Sequence, residues 1–384
     1  MTNQKLIEKV VLEFKKINNS APVLTFSPGR INLIGEHTDY NDGFVFPAAI
    51  DRGIVAGIQK NNKPRCSVYA IDAKKSHVFD KEILKPLKNG TWRNYVLGVV
   101  FEVMKKHEIN SNFDIVFAGN IPSGSGLSSS AALENSIVFG LNELFDLKMT
   151  KEEMIFISQK AEHDFVNVKC GIMDQYASMF GQEKAAILLD CRSLESSLFT
   201  IDFKAYEIVL INTNVKHSLA ESAYNDRRKV CEKIASLLHV KALRDVSKEE
   251  LQSIKEKLSE EDYLKGLYVI EENVRVLKAS NALKEGNLEL FGKLLFESHY
   301  GLQHQYKVSC AELDFLVDLA EKNKKVLGAR MMGGGFGGCT INLVSKEHLP
   351  EFKKEVEQLY EMQFSKTCAV YQVELSNGTR SVFT

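Results

Sequence analysis

Four short stretches of this chain collect residues suited to chemistry rather than to filling a core. The first is Ser27-Pro-Gly-Arg-Ile-Asn-Leu-Ile-Gly-Glu-His-Thr-Asp-Tyr-Asn-Asp-Gly43. It crowds Arg30, Asn32, Glu36, His37, Thr38, Asp39, Tyr40, Asn41 and Asp42 into one glycine-punctuated run. Such runs are usually solvated loops. Here, however, Glu36, His37, Thr38 and Asp39 put acceptors, donors and a switchable imidazole side by side, an inventory that suits a polyhydroxylated ligand. Metal binding by His37 and the carboxylates competes with that reading, but no second cluster with ligand spacing is visible. His37 taken alone reads by default as a hydrogen-bonded structural histidine.

The second stretch is Ile121-Pro-Ser-Gly-Ser-Gly-Leu-Ser-Ser-Ser-Ala-Ala132. Gly124 and Gly126 allow positive φ and let an anion approach with no Cβ in the way. Ser128, Ser129 and Ser130 can cap a helix and offer hydroxyls. The first-turn N–H groups of a following helix lack intrahelical partners and carry the positive end of its dipole. The combination suits a phosphate; an ordinary capped helix after a tight turn is the alternative. It is not a Walker A loop, because no Lys follows the second glycine at the required spacing.

Two further stretches carry weaker signals. In Cys170-Gly-Ile-Met-Asp-Gln175, Asp174 sits among apolar neighbours, as a helix N-terminal residue or as a working base. The glycines of 328–338 formally spell G-x-G-x-x-G. The residues that follow read as a strand and not a helix, so a dinucleotide fingerprint is excluded. They mark close backbone approach, to a ligand or to another element.

The elements that must position these groups follow from periodicity. Residues 113–117 alternate as a strand, and Leu133, Ile137, Val138, Leu141, Leu144 and Phe145 share a helix face, so the glycine-serine turn joins strand to helix. Leu6, Val10, Phe14 and Ile17 form an opening helical stripe. Strands are expected at 23–26, 49–50, 53–58, 66–71, 185–189, 206–211, 340–344 and 369–374, with 81–89 turn-like. A helix opens at Thr91; Trp92, the only tryptophan, reads as core or as a platform for a flat ring. Thr150-Lys-Glu-Glu153 has capping-box form. The helix it starts ends near Glu162, a carboxylate poorly matched to that end of the dipole, solvated or holding a cation. Residues from about 225 to 323 are mostly helical in pattern. A domain change is expected near residue 200, giving units 1–200 and 201–384.

The 384 residues suggest two or three domains, with 44% hydrophobic and 26% charged residues. A net charge of -1 gives no electrostatic case for nucleic acid or an anionic membrane. No apolar run approaches a membrane span, and the charged N-terminal stretch lacks a signal-peptide core. Seven cysteines without a Cys-x-x-Cys argue against a disulfide framework or structural zinc. A cytoplasmic monomer is expected.

The three glycine motifs, in this order, resemble those of the GHMP kinase superfamily. The run 29–40 is similar to the signature of its galactokinase branch, 124–131 to the superfamily phosphate loop and the late glycine run to the C-terminal glycine motif, while 170–175 also looks like the galactokinase active-site segment. Met332 and Gly334 depart mildly from residues common there, Thr and Ala. The resemblance implies an α/β (α+β) fold with two domains of mixed sheets and helices and an active site in the interdomain cleft. It implies ATP-dependent phosphorylation of galactose at its anomeric hydroxyl, giving galactose 1-phosphate and ADP, the first committed step of the Leloir route. By the same resemblance Glu36, His37, Thr38, Asp39, Gly171 and Tyr224 hold the sugar. Asp174 takes the C1 proton, while Arg30 keeps Asp174 ionised and stabilises the transferring phosphoryl group. Gly124, Ser125, Gly126, Leu127, Ser128, Ser129 and Ser130 wrap the triphosphate, Trp92 flanks adenine, and Ser130 with Glu162 holds Mg²⁺. The alternatives are a silent galactose and ATP sensor or a kinase for a related sugar such as N-acetylgalactosamine.

Overall fold

The computed structural model describes residues 2–122, 124–215 and 220–383; Ser123 of the glycine-serine turn lies outside the described residues. The opening helix, Asn3–Phe14, starts where the Thr2 hydroxyl accepts from Lys5 N. Its Leu6, Val10 and Phe14 stripe is buried against Leu24, Phe26, Val55 and Val116 on one face of a six-stranded sheet. The order in that sheet is Arg380–Ser381, Val23–Asn32, Pro47–Asn61, Asn112–Gly119, Cys66–Ala70, Lys75–Phe79. Only the pairing of Cys66–Ala70 with Asn112–Gly119 is parallel.

The Asn112–Gly119 strand shows how the alternation works. Phe113, Ile115 and Phe117 point to the large core under helices Trp92–Met104, Ser129–Phe145, Lys151–Ala161 and Met173–Phe180, while Val116 and Ala118 point to the opening helix. The expected strand at 23–26 runs on to Asn32, through a bulge between Pro28 and Arg30, and so carries Arg30 out of the sheet's regular register. The polar run 27–43 is therefore a buried strand end and a tight turn, where a solvated loop was the default reading; Arg30, Asn32, Glu36, His37, Thr38 and Asn41 are all buried. The Lys75–Phe79 strand has no counterpart among the expected strands, because it is a largely exposed edge with no apolar alternation.

The later half is built on a four-stranded antiparallel sheet in the order Val326–Met331, Cys339–Ser345, Tyr206–Asn212, Ala369–Gln372. One face packs on helices Ala311–Lys322 and Leu349–Phe364. The other contributes Ile208, Leu210, Ile341 and Leu343 to a cluster shared with Ile31, Leu33, Phe46, Ala48 and Ile50 of the first half. This shared core seats the two sheets against each other. A short three-stranded sheet orders Phe44–Val45, Ala185–Asp190 and Ser196–Thr200. A division near residue 200 falls just after its last strand, yet Arg380–Ser381 crosses back to pair with Thr25 and Phe26. Among the described residues, no helix is long and apolar enough to cross a membrane.

Candidate active site

The glycine-serine turn does link a strand, Asn112–Gly119, to a helix, Ser129–Phe145. Gly124 and Gly126 both have φ of 71°, the left-handed backbone expected of them. The serine cap does not form. Ser128 occupies the N-cap with φ of 55°, makes no capping bond, and instead donates its hydroxyl to Asp174 Oδ2 at 2.5 Å. Ser125 donates within the turn, to Pro122 O at 2.7 Å. No acidic side chain of the helix itself lies in its first turn; the carboxylate at the positive end of its dipole is that of Asp174, brought from another helix.

Asp174 opens the Met173–Phe180 helix and faces a cleft of about 290 Å³. Arg30 grips it with both arms: Nε donates to Oδ1 at 2.7 Å and Nη2 to Oδ2 at 2.8 Å, while Nη1 donates to Gly126 O at 2.6 Å. The Arg30 main-chain N–H donates to Leu127 O at 3.1 Å, and a Cβ on Gly29 would lie 2.6 Å from that oxygen. The arginine strand and the glycine-serine turn are therefore in backbone contact. Burial pulls the Arg30 guanidinium down, but Asp174, Glu36 and Asp39 outweigh it and hold Arg30 above its ordinary value.

A buried hydroxyl cluster braces this pair from behind. Ser27 Oγ lies 2.9 Å from both Ser178 Oγ and Thr379 Oγ1, Ser178 donates to Pro28 O at 2.6 Å, and Thr379 donates to Ser178 O at 2.9 Å. Ser27 and Pro28 belong to the strand of Arg30, Ser178 to the helix of Asp174, and Thr379 precedes the Arg380–Ser381 strand.

Across the cleft stand Glu36, His37 and Asp39. Glu36 Oε1 accepts from Gly333 N at 2.8 Å and Arg330 Nη2 at 3.1 Å. Asp39 Oδ1 accepts from Tyr40 N at 2.9 Å, and its other oxygen lies so close to Gly171 that a Cβ there would stand 2.1 Å away. Burial and then Asp174 push the Asp39 carboxyl up to about 7, with a lesser push from Glu36, against the opposing effects of the Tyr40 N–H and Arg30. His37 adopts φ of 63°, and its Nδ1 sits 2.8 Å from the Tyr40 hydroxyl. Burial, helped by Arg227, lowers it to about 3, so the imidazole stays neutral near pH 7 and does not act as the switchable group its type suggested. Tyr224 closes this wall, its ring 5.3 Å from those of His37 and Tyr40.

Two expected sugar ligands and the expected adenine neighbour stand back from the cleft lining. Thr38 is fully buried and spends its hydroxyl on Gly35 O and Phe44 O, bracing the turn. Gly171 serves as the floor under Asp39. Trp92 packs edge-on to Phe117 with centroids 5.4 Å apart. Ser130 and Glu162 both line the cleft beside the turn. Glu162 is buried and accepts from Gln175 Nε2 at 3.1 Å, and the same amide donates to Glu134 at 3.1 Å. Burial and the Glu162 charge push the Glu134 carboxyl well up. Among the described residues no group of three His, Cys, Asp or Glu side chains could hold a metal by itself.

The late glycine run supplies close approach to another element. A Cβ on Gly126 would lie 3.3 Å from Met332 O, and one on Gly333 would lie 3.3 Å from Gly126 O. The two glycine loops, one from each half of the chain, touch backbone to backbone.

Three family models match the chain: the galactokinase galactose-binding signature over residues 12–60, the GHMP kinases N terminal domain over 94–182 and the GHMP kinases C terminal over 279–361. The galactokinase of Clostridium beijerinckii is 41% identical, covering 96% of this chain and 97% of that protein. That of Thermotoga petrophila is 40% identical, covering 93% and 99%. The chain belongs to the galactokinase family. A crystal structure of Lactococcus lactis galactokinase complexed with galactose superposes with a TM-score of 0.93 at 35% identity, covering 98% of this chain and 99% of that one. Methanococcus jannaschii mevalonate kinase, at 19% identity and a TM-score of 0.66, shares the fold.

For this galactokinase-family kinase, the two departures in the late glycine motif have plain structural accounts. Met332 is buried in the shared core, and its Sδ accepts from Asn32 N at 3.4 Å. Gly334 has room for a methyl group, since a Cβ would meet Tyr224 at an ordinary 3.5 Å. Two residues of the site carried a signal that sequence reading passed over. Glu134 is a carboxylate on the apolar stripe of Ile137, Val138 and Leu141, and Arg330 is a charge inside an apolar strand.

Proposed function

We propose that the cleft binds galactose between Asp174 and the Glu36–Asp39 wall, and the triphosphate of ATP along the glycine-serine turn. The reaction is ATP-dependent phosphorylation of galactose at the C1 hydroxyl, giving galactose 1-phosphate and ADP. The observation that carries this reading is Asp174 gripped by Arg30 and Ser128 at the mouth of the turn.

Phosphoryl transfer asks for alignment and charge neutralisation more than for covalent chemistry. Asp174 orients the C1 hydroxyl and takes its proton as the O–P bond forms. Arg30 lies beside both Asp174 and the turn, so its charge serves the carboxylate before transfer and the phosphoryl oxygens during it. Main-chain N–H groups at the helix start and the residues from Gly124 to Ser130 hold the β- and γ-phosphates. Glu36, His37, Asp39 and Tyr224 fix the sugar hydroxyls, the neutral His37 as donor or acceptor according to its tautomer. Thr38 and Gly171 support that wall from behind. Trp92 is assigned to the adenine side.

One carboxylate and one hydroxyl, Glu162 and Ser130, fit a Mg²⁺ that takes most of its ligands from phosphate and water. Bound there, Mg²⁺ would neutralise charge on the triphosphate. A coupled ADP-release assay over a panel of sugars tests the substrate. Galactose is expected to give the highest kcat/KM, and a higher value for N-acetylgalactosamine or another hexose would overturn the choice.

A further inference from the structure

Glu36, in the first half of the chain, is held in place by the second half. Its Oε1 carries both the Arg330 and the Gly333 hydrogen bonds, and the Tyr268 hydroxyl donates to its main-chain O at 3.0 Å. Arg330 itself is wholly buried. Its Nε donates to Leu33 O at 2.8 Å, its Nη1 to Met331 O at 2.6 Å, and its Nη2 also to Asn32 O. One guanidinium thus ties the Val326–Met331 strand to the backbone just ahead of the sugar-facing turn.

Three of these four contacts are to neutral carbonyls. The only carboxylate on Arg330 among the described residues is Glu36, itself 2% exposed. A buried charge left without its counter-charge is costly, so each member of the pair restrains the other's rotamer. A guanidinium presents its donors in a rigid plane, and an ammonium cannot reproduce that fork. With Oε1 occupied twice over, Oε2 is the oxygen left for a ligand in the cleft that Glu36 lines.

We propose that Arg330 is a positioning residue for sugar recognition: it locks the Glu36 carboxylate so that its second oxygen meets a galactose hydroxyl. The inference rests on Glu36 being a sugar ligand. It ties galactose affinity to this one contact between the two halves of the chain.

The test uses full-length Glu36→Gln, Arg330→Lys and the double variant, with kcat, both KM values and melting temperature measured for each. Glu36→Gln is expected to raise the galactose KM about tenfold or more, the scale of one charge-assisted hydrogen bond. Arg330→Lys is expected to raise the galactose KM about tenfold while the ATP KM moves less than about twofold. In the double variant the galactose KM should match that of Glu36→Gln alone, because the two residues act on one contact. The inference is overturned if Arg330→Lys lowers the melting temperature without raising the galactose KM. It is equally overturned if Arg330→Lys raises KM by the same factor in both backgrounds, the mark of a general structural pin. An unchanged KM in Glu36→Gln alone would remove Glu36 as a ligand, and this inference with it, while leaving the Asp174 chemistry standing. Should Arg330→Lys fail to fold, Arg330→Gln decides on the same two KM values: it leaves Glu36 intact and keeps side-chain donors for the carbonyls while removing the fork that holds the carboxylate. A raised galactose KM supports the inference; a wild-type KM sinks it.

Discussion

Arg30 and Asp174 meet through two hydrogen bonds of 2.7 and 2.8 Å, with 5% of the arginine side chain exposed and 26% of the aspartate side chain. The arginine is packed away and the carboxylate is presented. A bidentate pair of this kind fixes orientation as well as charge. The carboxylate is therefore aimed before any ligand arrives, which is what a positioned proton acceptor requires.

Replacing Asp174 by Asn keeps the shape and removes the acceptor of the proton. Galactose binding is expected to survive, with turnover down by at least ~10²-fold, the low end for acid–base catalysis. Calorimetric titration with galactose and a steady-state assay separate the two. Near wild-type kcat would take Asp174 out of this role.

Ser128→Ala tests a different point. Because the hydroxyl bonds Asp174 and caps nothing, its loss should not cost the roughly 1 kcal/mol of a missing N-cap. We expect kcat to fall about tenfold, as for one hydrogen bond to a charged group, with little change in melting temperature. A clear drop in stability with full activity would show the hydroxyl to be a cap after all.

Asp39 gives a pH signature. Its carboxyl is raised from 3.8 to about 7 in the fold, so between these values the folded state keeps a proton the unfolded chain has released. Stability from this group is accordingly present below about 4 and is lost as pH rises through about 7. Asp39→Asn, which never ionises, should melt higher than the parent at pH 8 and much closer to it at pH 4, with no sugar present. Its galactose KM should rise. Melting curves that stay parallel across the pH range would contradict the assignment.

Two glycines separate crowding from openness. Gly171→Ala drives a Cβ to 2.1 Å from Asp39 Oδ2 and is expected to raise the galactose KM strongly, whereas Gly334→Ala adds a methyl at an ordinary 3.5 Å from Tyr224 and should leave kinetics within about twofold. Equal effects from the two would mean that neither acts through the contact described.

Local pattern made the strand–turn–helix around Gly124 and Gly126 legible, because apolar alternation, glycine freedom and helix periodicity are all properties of neighbouring residues. The partners of that turn were not. Ser128 has the residue type of an N-cap, and only a helix 46 positions away converts it into a partner of Asp174. Arg330 reaches Glu36 across 294 positions, and no local spacing encodes that. The polar run from Arg30 to Asp42 reads as solvated until the second half of the chain covers it. The exposed strand Lys75–Phe79 was missed for the opposite reason: an edge with little to bury leaves little pattern.

The hydroxyl brace behind the reactive pair has a consequence for biosynthesis. Ser27, Pro28 and Ser178 already join the strand of Arg30 to the helix of Asp174, but Ser27 and Thr379 are 352 positions apart, so a ribosome must deliver nearly the whole polypeptide before the brace gains its last member. Every side chain assigned to touching a substrate emerges in the first 224 positions. The brace is nonetheless completed late in the life of the nascent chain, by a threonine that meets neither sugar nor nucleotide.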